Sequence, residues 1–280
     1  MRPRVRAVVC NGCRYVDAMK RDNGSTAVDE GRVIAMSLNG SEPDDVWGVI
    51  RCAQLIGVHL PAWKLRVYVS PLRQLAVPDR VVTTLRGLGA RVVKVPHELS
   101  SSLPPRYWRL MAADDTSVHY FLQRNADWRL GKREAASVGE WIAAAEESRL
   151  SPTSFVIHCI RDHPKHSEHP LVAGLWGGRP RALRDLLNGS SLAKLAEIEY
   201  RSAGVDRAEQ KLLESVVWPA VSTSAYCHDS VSPCDRWKPR HDIAVERQRQ
   251  EYIGEPFNQH QVPAAVEEKR RIVKDVKCHD

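Results

Sequence analysis

The sequence predicts an α/β fold, a mostly parallel central sheet flanked by helices. Three observations predict it. Short apolar runs of strand length alternate with amphipathic stretches of helical length. Turn residues punctuate them, and the order begins β-α-β-α-β, which calls for parallel strands joined by crossover helices. The chain has 280 residues, 43% hydrophobic and 27% charged, an ordinary globular composition with enough length to bury a real core.

Residues 1–31 are basic, then polar, and read as an N-terminal extension or one added strand over residues 5–9. Residues 32–260 are read as one domain and residues 261–280 as a charged C-terminal tail. The first strand is expected over residues 33–38, where an apolar run ends in Asn39-Gly40-Ser41. Asp44 or Asp45 then caps a helix with Val46, Trp47, Ile50, Ala53 and Leu55 on its buried side, and Pro61 stops it. Residues 64–69 alternate as a strand does. Pro78-Asp79 opens a helix closed by Gly87 and Gly89, and residues 91–95 form the third strand. A helical stretch over 107–113, a strand over 118–123, a long helix over 133–147 and a strand over 155–160 follow. Residues 174–178 read as a glycine-rich loop around Trp176, with helices over 181–187 and 207–217 and a short segment at 226–230. Trp47, Trp63 and Trp141 occupy apolar positions and are expected in the core, not on a base-stacking platform.

The net charge of +7 favours anionic ligands: nucleic acid, membrane surfaces or phosphorylated small molecules. Its densest group, Lys269-Arg270-Arg271 with Lys274 and Lys277, reads first as a solvated tail. No run of about 18 apolar residues is present, so no transmembrane helix is expected. The first residues lack the apolar stretch of a signal peptide, which leads to an expected cytoplasmic location. Seven scattered cysteines do not read as a disulfide framework, and the Cys10/Cys13 pair lacks the second pair or histidine of a zinc site. There is no G-x-G-x-x-G, P-loop or G-x-S-x-G, which argues against dinucleotide redox chemistry, ATP hydrolysis and serine hydrolysis.

In open α/β sheets ligands bind at the carboxyl ends of strands. The fourth strand ends in Arg124-Asn125-Ala126-Asp127-Trp128-Arg129, where a carboxylate can hold a divalent metal against a diphosphate. Arg124, Arg129, Lys132 and Arg133 supply cations for phosphate oxygens. After the fifth strand come Asp162, His163, His166 and His169; Asp162 is a candidate to orient or deprotonate an acceptor hydroxyl. Pro164 and Pro170 argue against a helix that would line the histidines up as metal ligands. His228-Asp229 is a third, weaker candidate for metal.

Taken in order, these patches resemble a family of proteins with a GT-A glycosyltransferase-like fold, whose pattern runs R-D-x-D-S-R, R-E, E-W, R-D-H-P-x-H, G-x-W-G, D-Q, H-D-S and F-V-G or Y-I-G. Here the series is Arg124 to Arg129, Arg133-Glu134, Glu140-Trp141, Arg161 to His166, Gly174 to Gly177, Glu209-Gln210, His228 to Ser230 and Tyr252 to Gly254. The resemblance implies a transferase acting on a nucleotide-diphosphate sugar donor and a glycan or protein acceptor, with Mn2+ or Mg2+ held by Asp127 and His228. It places Ser37, Asn39 and Gly40 at the nucleotide, with Arg109, Arg124, Asn125, Asp127 and Arg129 on the donor side. It places Asp162 and His163 at the chemistry, and Trp176, Gly177, Glu209 and Gln210 with the sugar and acceptor. Three positions depart from the pattern: Asn125 replaces an aspartate, Glu209 an aspartate and Trp128 a serine.

Two rivals stand beside this reading. One is a metal-dependent hydrolase or nuclease using Asp127, Asp162, His163, His166 and His169, with the basic surface on nucleic acid. It lacks a dense carboxylate pair, and nucleic acid is the less favoured partner. The other is a non-catalytic member of the fold that binds a glycan or nucleotide sugar, which Asn125 favours.

Overall fold

The computed structural model describes residues 31–149, 154–203, 208–263 and 275–278. The added strand read over residues 5–9, Cys10, Cys13 and most of the C-terminal tail lie outside the described residues. In chain order the first elements are β1 (Arg32–Leu38), α1 (Pro43–His59), β2 (Lys64–Val69), α2 (Asp79–Gly87), β3 (Arg91–Lys94), α3 (His97–Ser102), α4 (Met111–Asp114) and β4 (Tyr120–Gln123). Then come α5 (Lys132–Glu147), β5 (Ile157–Arg161), β6 (Trp176–Gly178), α6 (Pro180–Leu186), α7 (Leu192–Ala203), α8 (Ala208–Leu212), α9 (Trp218–Val221) and β7 (Ala225–Asp229).

The strands form one sheet in the order β3-β2-β1-β4-β6-β5-β7. Neighbours are parallel except at β6, which runs antiparallel to both β4 and β5. The mostly parallel α/β sheet expected from the sequence is therefore present. The unbroken apolar run of β1 follows from burial on both faces. Val33 and Ala35 enter one core with Phe121, Trp108 and Trp176, while Ile34, Met36 and Leu38 enter the other with Trp63 and Trp141. Helices α1, α2 and α5 cover the second face; α4, α6 and α7 cover the first.

Five expectations change. Helix α1 begins at Pro43 after Glu42, which makes no side-chain cap, so Asp44 and Asp45 lie in its first turn and do not cap it. The buried stripe of α1 is Gly48, Val49, Cys52, Ala53 and Ile56, so Trp47 points outward and is 52% exposed. Residues 176–178, read as loop, are strand β6, because backbone pairing to β4 and β5 fixes them and not side-chain pattern. A Cβ on Gly177 would lie 2.3 Å from the Phe121 carbonyl oxygen, so only glycine lets this strand enter the sheet. Helix α7 was not anticipated. Finally, the cysteines do pair: Cys159 with Cys227, in register on adjacent strands β5 and β7, and Cys234 with Cys278 across 44 residues of sequence. Such spacings carry no signal until the fold brings the thiols together. Cys52 is a buried free thiol.

Candidate functional site

The chain winds outward from β1 to β2 and β3 on one side, and β4 lies on the other, so the strand order reverses between β1 and β4. A crevice outside the carboxyl ends of the strands at such a point is where open α/β sheets take their ligands. Ser37, Asn39 and Gly40 sit at the end of β1. Gly40 adopts φ +66°, and its N–H donates to the Leu75 carbonyl at 3.1 Å, turning the chain sharply off the strand. The buried Asn39 Oδ1 has no hydrogen-bond partner. Such an orphan is costly in water-free surroundings and marks a place for a donor group.

Arg109 ties the two strand ends together. Its backbone N–H donates to Ser37 Oγ at 3.0 Å, and Nη1 donates to Asn125 Oδ1 at 2.6 Å and to the Arg124 carbonyl at 3.3 Å. Its Nη2 donates to both carboxylate oxygens of Glu209 at 3.0 Å. Arg109 is thus a brace, with little capacity left for a phosphate. Asn125 is exposed, and a Cβ on Gly174 would lie 2.6 Å from its Oδ1, so the amide is held between Arg109 and Gly174. Arg124 is wholly buried, donating to Glu134 at 2.6 Å and to the carbonyls of Gln123 and Trp176; it supports the strand end from inside.

Asp127 is half-buried. Burial raises its pKa above the ordinary aspartate value; Arg129 and Arg109 pull it down and Asp44 pushes it up. Among the described residues no cation forms an ion pair with it. Asp45 is raised in the same way, by burial and then by Asp127, Glu42 and Asp44. These carboxylates approach because α1 has glycine at position 48, where a Cβ would lie 1.9 Å from the Ala126 carbonyl oxygen. Asp127, half-buried near Asp44 and Asp45 and under the field of Arg129 and Arg109, supplies one oxygen ligand for a divalent ion. His228 does not fit as its second ligand. It is fully buried, with Nδ1 at 3.0 Å from His158 Nε2 and Nε2 at 2.9 Å from Glu140 Oε2, so both ring nitrogens are engaged. Among the described residues no group of three or more His, Cys, Asp or Glu is arranged to hold a metal.

The acceptor-side residues are also differently employed than expected. Asp162 is fully buried and saturated. Arg133 donates to both its oxygens at 3.0 and 2.7 Å, Arg247 and Ser230 to Oδ1 at 2.7 and 2.5 Å, and the Ile253 N–H to Oδ2 at 2.9 Å. Nothing remains to take a proton from a hydroxyl. His163, 1% exposed, accepts the Lys165 N–H and packs on the Tyr252 ring at 4.5 Å. His166 accepts the Asp162 N–H, and burial pushes its pKa down to about 3; His169 faces Glu214 at 2.5 Å. The three imidazoles do not converge. Trp176 is buried against Phe121, with ring centroids 5.2 Å apart, and Gly177 is inside the sheet. Gln210 holds the Leu171 carbonyl and the Ala173 N–H. Arg247 and Asp275, which complete the Asp162 node, were missed by sequence reasoning; neither belongs to a local motif. Beside the Asp127 turn a cavity of about 290 Å³ has His59, Arg129, Lys132, Arg133, Glu246 and Glu251 among its lining residues.

No protein-family model matches the sequence, and no curated protein matches it. Among solved structures the chain is similar to an active-site mutant of LgtC, at 13% identity over 71% of this chain and 72% of that one, with a TM-score of 0.43. It is similar to glucosyl-3-phosphoglycerate synthase of M. tuberculosis, at 11% identity over 84% and 76%, TM-score 0.37. A further structure of that synthase holds Mn2+, UDP-glucose and phosphoglyceric acid. It is also similar to core-mannan synthase A of Aspergillus fumigatus in a Mn/GDP form, at 9% identity over 90% and 85%, TM-score 0.40. Likeness at this level carries no residue role or substrate across.

Proposed function

We propose that this chain transfers a sugar from a nucleotide-diphosphate sugar to a hydroxyl of a glycan or protein acceptor, with Mn2+ or Mg2+ held at Asp127. The observation that carries the reading is the switch point itself. An orphaned Asn39 oxygen follows β1 and a carboxylate with no paired cation among the described residues, Asp127, follows β4, the two strands between which the order reverses. The ordered motif series points the same way.

In this reading the nucleotide lies over Ser37, Asn39 and Gly40 and the diphosphate over Asp127. Asp127 would hold the divalent ion, which when bound would supply positive charge to the diphosphate leaving group. Arg129 and the exposed Lys132 offer cations to the phosphates, and Arg109 fixes the spacing of the two strand ends. Asn125 has its Oδ1 committed to Arg109, leaving its Nδ2 to donate to the ligand. Asp162 becomes a positioning residue that anchors the start of α5. The hydrolase alternative loses support because Asp162 and the histidines are committed elsewhere. No described helix is long and apolar enough to cross a membrane. The two disulfides favour an oxidising compartment over the cytosol expected from the N-terminal sequence.

The test is a melting-temperature screen of the chain against UDP-, GDP-, CMP- and dTDP-sugars, each with and without Mn2+. The expected result is a rise that requires both metal and one nucleotide class and that disappears in Asp127→Ala. No rise with any donor at millimolar concentration, or a rise unchanged in Asp127→Ala, overturns the reading.

A further inference from the structure

A second recess lies on the outer face of α1. It measures about 360 Å³ and is lined by Trp47, Ile50, Arg51, Gln54, Gln259 and Gln261. Its floor is the indole of Trp47, 52% exposed, whereas Trp63 and Trp141 are 3% and 0% exposed. Its wall is a loop closed by an antiparallel bridge between Phe257 and Pro263. Within the loop, Asn258 Oδ1 accepts the N–H groups of His260 and Val262.

This wall is built, not incidental. The Gln259 N–H donates to Asp44 at 2.5 Å, Arg129 Nε donates to Gln261 Oε1 at 3.0 Å, and the Phe257 N–H donates to the Asp127 carbonyl at 2.9 Å. The Arg129 guanidinium also lies 5.2 Å from the Phe257 ring centroid. The loop therefore hangs on the Asp127 turn. Gln261 holds φ +62°, a conformation costly for any residue with a Cβ and concentrated where function demands it. Glycine or asparagine would turn the loop more cheaply; glutamine there keeps a carboxamide at the groove.

The lining selects the chemistry. Among the described residues no carboxylate lines the groove, and the nearby Asp44 is taken up by the Gln259 N–H, which disfavours a cationic ligand. Its one cation, Arg51, already donates to Gln54 Oε1 at 3.0 Å, which weakens the case for a phosphate. What remains is an open indole face bordered by carboxamides, each carrying N–H donors and a carbonyl acceptor. A flat ligand with C–H groups on one face and hydroxyls around its edge matches both parts. We infer that the groove between Trp47 and the 257–263 loop is a subsite for a neutral saccharide ring of a glycan acceptor. That the bound glycan is an acceptor rests on the transferase reading; that the groove holds a saccharide does not.

The experiment is saturation-transfer NMR on the full chain with neutral oligosaccharides of glucose, mannose, galactose and N-acetylglucosamine, and with a sulfated oligosaccharide for contrast. One neutral probe is expected to bind, and Trp47→Ala is expected to weaken it about tenfold. Trp47→Ala should fold, since about half of the residue's surface is in solvent and it lies outside the buried stripe of α1. Gln261→Gly is expected to weaken binding, because it removes the carboxamide from the groove. No neutral probe bound, binding only by the sulfated probe, or equal binding by Trp47→Ala overturns the inference. Saccharide bound at Trp47 with no metal-dependent nucleotide-sugar shift overturns the transferase reading and leaves the subsite standing. The reverse pair of results overturns the subsite alone.

Discussion

Asp127 and Asp162 both follow strands on the same edge of the sheet, yet their surroundings give them opposite work. Asp162 is enclosed by Arg133, Arg247, Ser230 and the Ile253 N–H. Asp127 has no cation paired with it among the described residues. Replacing one member of a buried ion-paired group leaves its cations uncompensated and costs about 3–5 kcal/mol. Asp162→Asn is therefore expected to lower unfolding free energy by that order in denaturant titration. Asp127→Asn should leave it nearly unchanged and remove the metal-dependent donor shift. Loss of donor binding by Asp162→Asn with full stability would return that residue to the chemistry. The raised pKa of Asp127 has a sign that can be read as well. Metal needs the carboxylate ionised, so donor binding is expected to weaken on acidification beginning above the ordinary aspartate range of about 3.9. With metal held below saturation, a midpoint at or below that value would remove Asp127 as the titrating ligand.

At the scale of elements, helix α1 positions the site by what it lacks. Gly48 lets the backbone of Ala126 and Asp127 rest on the helix, and an added methyl would meet the Ala126 carbonyl and carbon directly, at 1.9 and 2.8 Å. Backbone cannot yield as a side-chain tip can. Gly48→Ala is expected to destabilise by about 1–3 kcal/mol and to weaken metal-dependent donor binding, whereas Gly57→Ala on the same helix, with open space around its Cβ position, should do neither. Parallel unfolding and melting-shift measurements on the two variants check this. The same helix shows what was legible. Strand β1 was readable because burial on both faces writes a continuous apolar run, and β2 because Lys64 and Arg66 alternate with apolar residues. The facing of α1 was not, because Val46, Trp47 and Ile50 are as apolar as the residues that turn inward. The three residues of β6 were unreadable, since their place is set by carbonyls of β4 and β5. At the site, the β4 turn announced itself by strand-end position and residue type. The true employment of His228 and Asp162 did not, because Glu140, Arg247 and Asp275 come from remote parts of the chain.

For the whole molecule, the far half of the sheet is bound together by groups that report on their medium. His158, buried against Trp141, is held well below its ordinary pKa by burial and then by His228, and His166 is pushed to about 3. Both have folded pKa values below the unfolded value of about 6.5, so below that pH the unfolded chain binds more protons. Stability is then expected to fall as pH drops from 6.5, by about 1.4 kcal/mol per pH unit for each histidine, and His166→Asn should flatten the slope by one proton. The second fastening is covalent. Cys234–Cys278 fixes a segment whose Asp275 bonds Arg133 and Arg247 at 2.9 Å, and whose Val276 donates its N–H to the Ser230 carbonyl and accepts Arg240 Nη2 at its own carbonyl, both at 2.7 Å. That segment is the outer wall of the Asp162 node, which in turn holds the start of α5 beside the Asp127 turn. Closing a loop of 44 residues stabilises by about 2–4 kcal/mol. A Cys234→Ser, Cys278→Ser double variant is expected to lose that amount in denaturant titration and to expose the 275–278 amides to hydrogen exchange. Donor binding at Asp127 should survive at low temperature, because the disulfide acts on the wall and not on the crevice. Unchanged stability and unchanged exchange would mean that the ion pairs of Asp275 hold the wall without the covalent tie.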